Sequence, residues 1–178
     1  MAQKLPKIIS QEEFEKLFDA TLKKKKKQYA VAMLLGFEAG MRISEIVGYE
    51  KGGTIVVPKL TKENIDMTQN TIRIISGKGN KDRIVPLPKR FNQAAYSLFP
   101  LSISRRALQN WVTQLGRKIL GRTISFHTFR HGFGSYLAGH NRPLHEIQML
   151  MGHSRLDTTG IYLHANPKAA LEGAREVF

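Results

Sequence analysis

Cysteine is absent from the 178 residues, which excludes disulfide bonds, thiolate catalysis and cysteine-ligated zinc sites. Long apolar runs are absent as well, since the longest, Tyr29 to Phe37, is far shorter than the roughly 20 residues of a membrane-spanning helix. The first ten residues lack the basic-then-apolar pattern of a secretory signal. We therefore expect a soluble protein of the cytoplasm, with no membrane partner.

Acidic residues are scarce: 14 Asp and Glu stand against 28 Lys and Arg, which gives a net charge of +14 and a pI near 10.2. Such an excess favours a polyanionic partner. Nucleic acid is the leading candidate, because neutralising phosphates releases their counterions. A membrane surface is the competing interpretation, but no long amphipathic helix with bulky aromatic residues supports it.

The apolar fraction of 42% and the chain length suit one domain with its own core, spanning 1–178. Helical signals dominate: Ser10 and Glu13 form a capping box, Ser104 is a second helix cap, and the lysine run Lys23 to Lys27 predicts a turn because its charges repel. The predicted helices are 10–20, 28–39, a segment from Ser104, about 128–139, 143–151, 158–164, and a last one that begins at Pro167.

A β-hairpin is predicted in the middle of the chain. Thr71 to Ile75 alternates as a strand, Gly77 to Asp82 is rich in turn formers, and Arg83 to Leu87 is the return strand. Pro86 places the return strand at a sheet edge. Residues 49–64 predict a loop with one short strand at Thr54 to Val57. The expected fold class is mainly α with a small antiparallel β-sheet (α+β).

The residues whose side chains could take part in catalysis fall into four local strings and one tyrosine: 40–45 (GMRISE), 77–81 (GKGNK), 127–131 (HTFRH), 150–153 (LMGH) and Tyr162. Arginine forks bind phosphate oxygens in bidentate fashion, and such fixed charge stabilises transition states strongly. A tyrosine hydroxyl can be a covalent nucleophile, and lysine or histidine can protonate a leaving alkoxide. This set suits phosphoryl transfer without a metal.

The order and spacing of these strings resemble the tyrosine recombinase family, most closely its Xer-type and phage or viral integrase branch. His153 follows Arg130 by 23 positions and Tyr162 follows His153 by 9, which is a specific pattern. Residues 5–13 (LPKIISQEE) also resemble the start of a Xer-type catalytic domain, so the resemblance spans nearly the whole chain. It implies the tyrosine recombinase catalytic-domain fold, a duplex DNA substrate, and no metal, ATP or other cofactor.

The resemblance implies six catalytic residues: Arg42, Lys78, His127, Arg130, His153 and Tyr162. The two arginines would grip the scissile phosphate, the lysine would protonate the leaving 5′ oxygen, and the histidines would hydrogen-bond the phosphate and assist proton transfer. Tyr162 would attack phosphorus and form a 3′-phosphotyrosyl link. Glu45 lies one helical turn after Arg42 and would orient it.

Two departures from the family pattern stand out. Arg42 and Lys78 are 36 positions apart, more than in compact members, and the extra length falls in an insertion at 49–64. This leaves Lys81 as a second candidate for the lysine. The clamp domain that usually precedes the catalytic domain is not part of this sequence. Further DNA contacts are expected from Lys23, Lys24, Lys25, Lys81, Arg83, Arg105 and Arg106.

Several alternatives stay open. The same residues suit a type IB topoisomerase-like relaxing enzyme, and the fold alone suits an inactive DNA-binding module. A metal phosphodiesterase is a weaker alternative, because His127 and His131 have zinc spacing but no third ligand nearby. The last helix, 167–178, packs either on its own domain or, as the resemblance suggests, on a neighbouring copy in a tetramer. DNA as a partner predicts a nucleoid-associated protein.

Overall fold

The structure is a computed structural model that describes residues 8–75, 82–152 and 167–178. This part of the chain is mostly helical with two small antiparallel sheets, so the predicted fold class is confirmed. The helices are α1 (Gln11–Lys23), α2 (Lys27–Glu38), α3 (Ile43–Val47), α4 (Gln93–Tyr96), α5 (Arg105–Leu120), α6 (Phe126–Gly139), α7 (Leu144–Met151) and α8 (Pro167–Val177). The strands are β1 (Tyr49–Lys51), β2 (Thr54–Val57), β3 (Ile65–Asp66), β4 (Thr71–Ile74) and β5 (Arg83–Pro86).

Helix α2 is the centre of the core. Every residue from Ala30 to Glu38 is buried, as expected of a helix that is apolar nearly all round. It packs against α1 and α6, and the Phe14 and Phe37 rings stack with their centroids 4.2 Å apart. The prediction of a buried helix at 28–39 is therefore confirmed to within a residue at each end.

The predicted capping box begins α1. The Glu13 amide donates to Ser10 Oγ at 3.1 Å, and the Ser10 amide donates to the Glu13 carboxylate at 3.1 Å. The helix runs to Lys23 rather than to residue 20, because Thr21 is buried and adds an intrahelical bond from its hydroxyl to the Leu17 carbonyl at 2.8 Å. The buried face thus continues one turn beyond the predicted end.

The lysine run forms the turn between α1 and α2, as predicted. Lys25 adopts a positive φ of 56°, and the Lys26 ammonium lies 5.4 Å from the Tyr29 ring centroid and 5.9 Å from that of Trp111. Gln28 Oε1 accepts a hydrogen bond from the Ser102 amide at 3.0 Å. These contacts fix the turn beside the N-terminus of α5.

The segment 49–64 holds more structure than the single strand that was predicted. β1 and β2 form an antiparallel hairpin around Gly52 and Gly53, whose φ values of 57° and 78° belong to a tight turn. β1 was missed because Tyr49, Glu50 and Lys51 show no apolar alternation. The second sheet has the order β3–β4–β5, so the prediction that Pro86 lies on an edge strand is confirmed.

The C-terminal helices complete the core. Ser104 caps α5 as predicted, and α6 begins two residues before the predicted Thr128 because Ser125 is its N-cap. α7 ends at Gly152, and α8 packs on its own domain, where Phe178 stacks on Phe133 at 5.9 Å. The helix predicted at 158–164 lies outside the described residues. Among those that are described, no helix is long and apolar enough to cross a membrane.

Candidate catalytic site

Among the described residues, Arg130 is the most deeply buried charge, with a relative exposure of 1%. It extends from the middle of α6, one turn after His127, and its Nη1 donates to the Gly40 carbonyl at 2.5 Å. Its Nη2 donates to the Met151 carbonyl. Burial lowers the pKa of Arg130 to about 9, and the nearby charges of Arg42 and Arg83 act in the same direction. The side chain therefore stays cationic at neutral pH and gains from an anion beside it.

Arg42 is the N-cap residue of α3, immediately after the loop that Arg130 holds. Its Nη1 donates to Glu45 Oε1 at 2.8 Å, its backbone amide donates to Glu45 Oε2 at 2.7 Å, and its Nη2 donates to the Gly152 carbonyl at 3.3 Å. The predicted contact between Arg42 and Glu45 is thus present. The Arg42 side chain is still 35% exposed, so it can reach a ligand from a fixed position.

Glu45 receives a second arginine from a distant strand. Arg83 Nη1 and Nη2 donate to its two carboxylate oxygens at 2.8 and 2.9 Å, and Arg83 Nε donates to the Leu150 carbonyl at 2.8 Å. Burial alone would raise the pKa of Glu45, but the hydrogen bonds and charges of Arg83 and Arg42 hold it below its ordinary value. Glu45 is therefore an ionised carboxylate that joins two cations.

The geometry of Arg83 does not support its predicted role as a DNA contact. Its side chain is only 7% exposed, and all three of its guanidinium nitrogens donate to Glu45 or Leu150. Its charge is thus paired with a carboxylate, unlike that of Arg130, which donates to main-chain carbonyls within the described residues. In the sequence, the alternation of β5 indicates a structural role instead: Arg83 shares the buried face of the strand with Val85, while Ile84 points outward. We therefore assign Arg83 to positioning Glu45.

The C-terminus of α7 is where the three arginines converge. The consecutive carbonyls of Leu150, Met151 and Gly152 each accept a hydrogen bond from a different arginine: Arg83, Arg130 and Arg42 respectively. Carbonyls at the end of a helix have no partner within the helix and lie at its negative pole, so they attract cations.

Gly152 is required at this position for two reasons. Its φ is 61°, in the left-handed region that glycine adopts without strain. A Cβ atom at this position would also lie 2.7 Å from Cδ of Arg83. The glycine therefore lets the chain turn out of α7 while the arginine passes directly beside it.

His127 lies near the start of α6 and is exposed. Its ring is 4.3 Å from that of His131, and both line a groove of about 410 Å³ together with Gln109 and Thr113 of α5. The two histidines have the spacing of zinc ligands but no third ligand beside them, since no cluster of three or more His, Cys, Asp or Glu residues occurs within the described ranges.

The remaining predicted contacts lie on the surface at the start of α5 and in the turn between α1 and α2. Arg105 and Arg106 are exposed at the start of α5, and Lys23, Lys24 and Lys25 are exposed at the neighbouring turn. The Arg105 guanidinium lies over the Tyr49 ring at 4.3 Å from its centroid. Four further predicted residues lie outside the described residues, and their roles stay predictions: Lys78, Lys81, His153 and Tyr162.

The arrangement suits a phosphate diester. Arg42 and Arg130 carry fixed positive charge, and Glu45 neutralises only part of the charge of the three arginines. Guanidinium forks match the geometry of phosphate oxygens, and prior fixation of such charge favours a developing anion. His153, another residue of the predicted set, directly follows Gly152 in the sequence, and the Gly152 carbonyl is bound by Arg42.

Sequence comparisons place these features among known proteins. The model of the phage integrase family matches residues 7–169. The chain is 30% identical over 176 residues to tyrosine recombinase XerA of Thermococcus kodakarensis, with 89% of this chain and 58% of the relative covered. Tyrosine recombinase XerD of Pasteurella multocida is 30% identical over 193 residues, with 92% and 60% covered. The chain thus spans about 60% of the length of these relatives.

Solved structures share the fold. The integrase from mycobacterium phage Brujita superimposes with a TM-score of 0.74 at 22% identity, over 100% of this chain and 60% of that one. The XerH site-specific recombinase bound to its difH substrate gives a TM-score of 0.62 at 23% identity, over 98% of this chain and 55% of that one. These similarities confirm the catalytic-domain fold that the sequence predicted.

Proposed function

Because this chain belongs to the phage integrase family, we propose that it carries the DNA-cutting centre of a site-specific recombinase, with Tyr162 as the nucleophile. The observation that carries this proposal is the arginine cluster at the end of α7. Arg42 and Arg130 donate to the carbonyls of Gly152 and Met151 at that helix end, one and two residues before His153. A scissile phosphate bound there would lie beside Gly152, after which the sequence continues to His153 and Tyr162.

In the first step, the Tyr162 hydroxyl oxygen attacks phosphorus and its proton passes to a histidine of the site, His127 or His153. The bond from phosphorus to the 5′ oxygen breaks, and that oxygen takes a proton from Lys78. Arg42 and Arg130 stabilise the extra negative charge on the non-bridging oxygens. The product is a 3′-phosphotyrosyl link and a free 5′-hydroxyl.

In the second step, the 5′-hydroxyl of another strand attacks the phosphotyrosyl phosphorus. The attacking 5′-hydroxyl gives its proton back to Lys78, the bond from phosphorus to the Tyr162 oxygen breaks, and that oxygen regains its proton from the histidine as a phosphodiester is restored. One phosphoester bond forms for each that breaks in both steps, so the exchange needs no ATP.

Duplex DNA is the proposed substrate. One structural relative, XerH, was solved with its difH substrate, and the net charge of +14 suits such a polyanion. We assign phosphate or base contacts to Arg105, Arg106 and the lysine turn, because these residues are exposed and the turn packs beside α5, where Lys26 lies 5.9 Å from the Trp111 ring centroid. Each neutralised phosphate should contribute about −0.9 to the log–log slope of affinity against salt. This substrate also places the activity at the nucleoid.

Self-association through α8 is part of the proposal. The helix presents Ala174 and Phe178 to the surface of α6 and α7, and this apolar match is available equally to a neighbouring copy. The 14 residues from 153 to 166 can span at most about 50 Å when extended, which is enough to reach another protomer. A tetramer on DNA would use this exchange.

The test is a suicide-substrate assay with nicked duplex DNA, performed without metal and read as a protein–DNA adduct on a denaturing gel. Wild type should form the adduct, Tyr162→Phe should bind DNA without forming it, and Tyr96→Phe should behave as wild type because its ring lies under Lys62 in another part of the fold. An adduct with Tyr162→Phe would contradict the assignment of the nucleophile. Binding without any adduct from wild type would favour an inactive DNA-binding module.

A further inference from the structure

We propose that the β1–β2 hairpin, residues 49–57, is an accessory DNA arm that contacts backbone phosphates beside the cleaved position. This inference rests on the proposed function, since it assigns part of the same substrate to a separate element. The hairpin emerges from the end of α3, whose N-cap is Arg42, and therefore begins close to the candidate catalytic site.

Three grooves, each sharing a lining residue with the next, lead from the site to the hairpin, and we call them together the furrow. A first groove, of about 410 Å³, contains His127 and Gln109. A second, of about 480 Å³, shares Gln109 and continues past Arg106 to Arg105. A third, of about 390 Å³, shares Arg105 and is also lined by Tyr49, Glu50, Ile55 and Val57 of the hairpin. A strand that leaves the site along α5 would therefore meet the hairpin.

Arg105 joins the furrow to the hairpin. Its guanidinium lies over the Tyr49 ring, and this face-on contact leaves the N–H groups at the edge of the guanidinium available. No residue in the described ranges accepts a hydrogen bond from Arg105, and the side chain is exposed. A phosphate between α5 and β1 would thus find donors that are already fixed in direction.

A second cation, Lys59, lies two residues after the hairpin and lines the same groove. An added Cβ at Gly48 would lie 3.3 Å from Cβ of Lys59, so the two segments pass close together at the base of the hairpin. Glu50 lines the groove as well and opposes an anion. The charge of Lys59 and Arg105 exceeds that of Glu50, and Lys51 adds an exposed cation nearby.

The apolar residues of the hairpin fit the same partner. Ile55 is 65% exposed and lines the groove, and Val56 is 39% exposed, so neither is covered by the described parts of the chain. Deoxyribose rings along a DNA backbone give such side chains an apolar surface. A second copy of this chain is a poorer occupant, because it would bring the same excess of positive charge against this groove.

The experiment measures the affinity of the full chain for a fluorescent duplex by anisotropy over a range of salt concentrations. Lys59→Gln should weaken binding several-fold and reduce the log–log salt slope by about 0.9, the value for one phosphate. Glu50→Gln should tighten binding, because it removes the charge that opposes the phosphate. Lys118→Gln is the matched control, since that exposed lysine lies at the opposite end of α5 and should change neither quantity.

Equal behaviour of Lys59→Gln, Glu50→Gln and the control would overturn the proposal. A double variant, Ile55→Ser with Val56→Ser, that lowers the mass in sedimentation without altering DNA affinity would assign the hairpin to a second copy instead, which also overturns it. Failure of the proposed function has a different signature. Wild type would then form no adduct in the suicide-substrate assay, whatever the salt slopes of the hairpin variants.

Discussion

Replacement of Glu45 by glutamine tests the core of the candidate site. Glu45 is 5% exposed and accepts four hydrogen bonds, two from Arg42 and two from Arg83. Glutamine removes the negative charge and sets an amide donor against at least one arginine donor. Three arginines would then lie together around the end of α7 with no carboxylate between them.

The expected loss is large because one partner of a buried ion pair disappears. Breaking such a pair costs about 3–5 kcal/mol. Since glutamine keeps one acceptor oxygen, we expect about 3 kcal/mol, which for a domain of this size lowers Tm by roughly 6–12 °C. Arg42 also loses the group that orients it, and misplacement of a catalytic group by about 1 Å reduces the rate roughly 100-fold.

Two assays check this prediction: thermal unfolding at several pH values, and the rate of adduct formation on the nicked substrate at a temperature where both variants are folded. The pKa of Glu45 is lowered in the folded state, so its contribution is present above its unfolded pKa and is lost as pH falls through the folded value. The gap in stability between wild type and Glu45→Gln should therefore close in acid. Glu12→Gln, at an exposed pair with Lys16, is the control and should leave Tm unchanged.

A Glu45→Gln variant with the Tm and cleavage rate of wild type at neutral pH would refute this reasoning. It would mean that Arg42 and Arg83 are held by the α7 carbonyls alone. A variant that keeps its Tm but cuts slowly would instead limit the role of Glu45 to orienting Arg42.

Three further predictions test other parts of the structure. Gly152→Ala should destabilise the fold by at least about 1–2 kcal/mol in chemical denaturation, because of its positive φ and the approach of Arg83, whereas Gly139→Ala, with open space around it, should not. Glu38→Gln should be no less stable than wild type at neutral pH in chemical denaturation. Because burial raises the pKa of Glu38, the free energy of unfolding of wild type should rise relative to that of the variant as pH falls. Phe178→Ala should lower the free energy of unfolding by about 1–2 kcal/mol and expose α8 to limited proteolysis. A monomeric variant with the stability and protease resistance of wild type would mean that α8 does not pack on its own domain in solution.

Local signals predicted most of the helices correctly. The capping residues Ser10 and Ser104 act within three residues of their partners, so they are visible in sequence order. Gly152 as the stop of α7 is a signal of the same kind. The hairpin strand β1 was missed because its side chains are half-buried or exposed and therefore carry no apolar pattern.

The support of the candidate site was harder to predict, because it depends on residues far apart in the chain. Arg83 and Glu45 are separated by 38 positions, and Arg83 and the Leu150 carbonyl by 67. An arginine that follows a basic hairpin tip looks like a DNA contact in the sequence. Only the alternation of β5 distinguishes that role from the positioning of Glu45. The resemblance named Arg42 and Arg130, but their bonds to main-chain carbonyls depend on the tertiary fold.

The three arginine bonds at the end of α7 make the formation of the candidate site dependent on the folding of several separate segments. They draw on α3, β5 and α6, so the helix end is held in full only after all of these segments have reached their native places. A nascent or partly unfolded chain would contain Tyr162, the proposed nucleophile, but would lack the arginine cluster that is proposed to bind the phosphate. An enzyme of the proposed kind would therefore stay inactive until its fold is complete, and damage to any one of these segments would abolish DNA cleavage rather than release an unspecific nuclease.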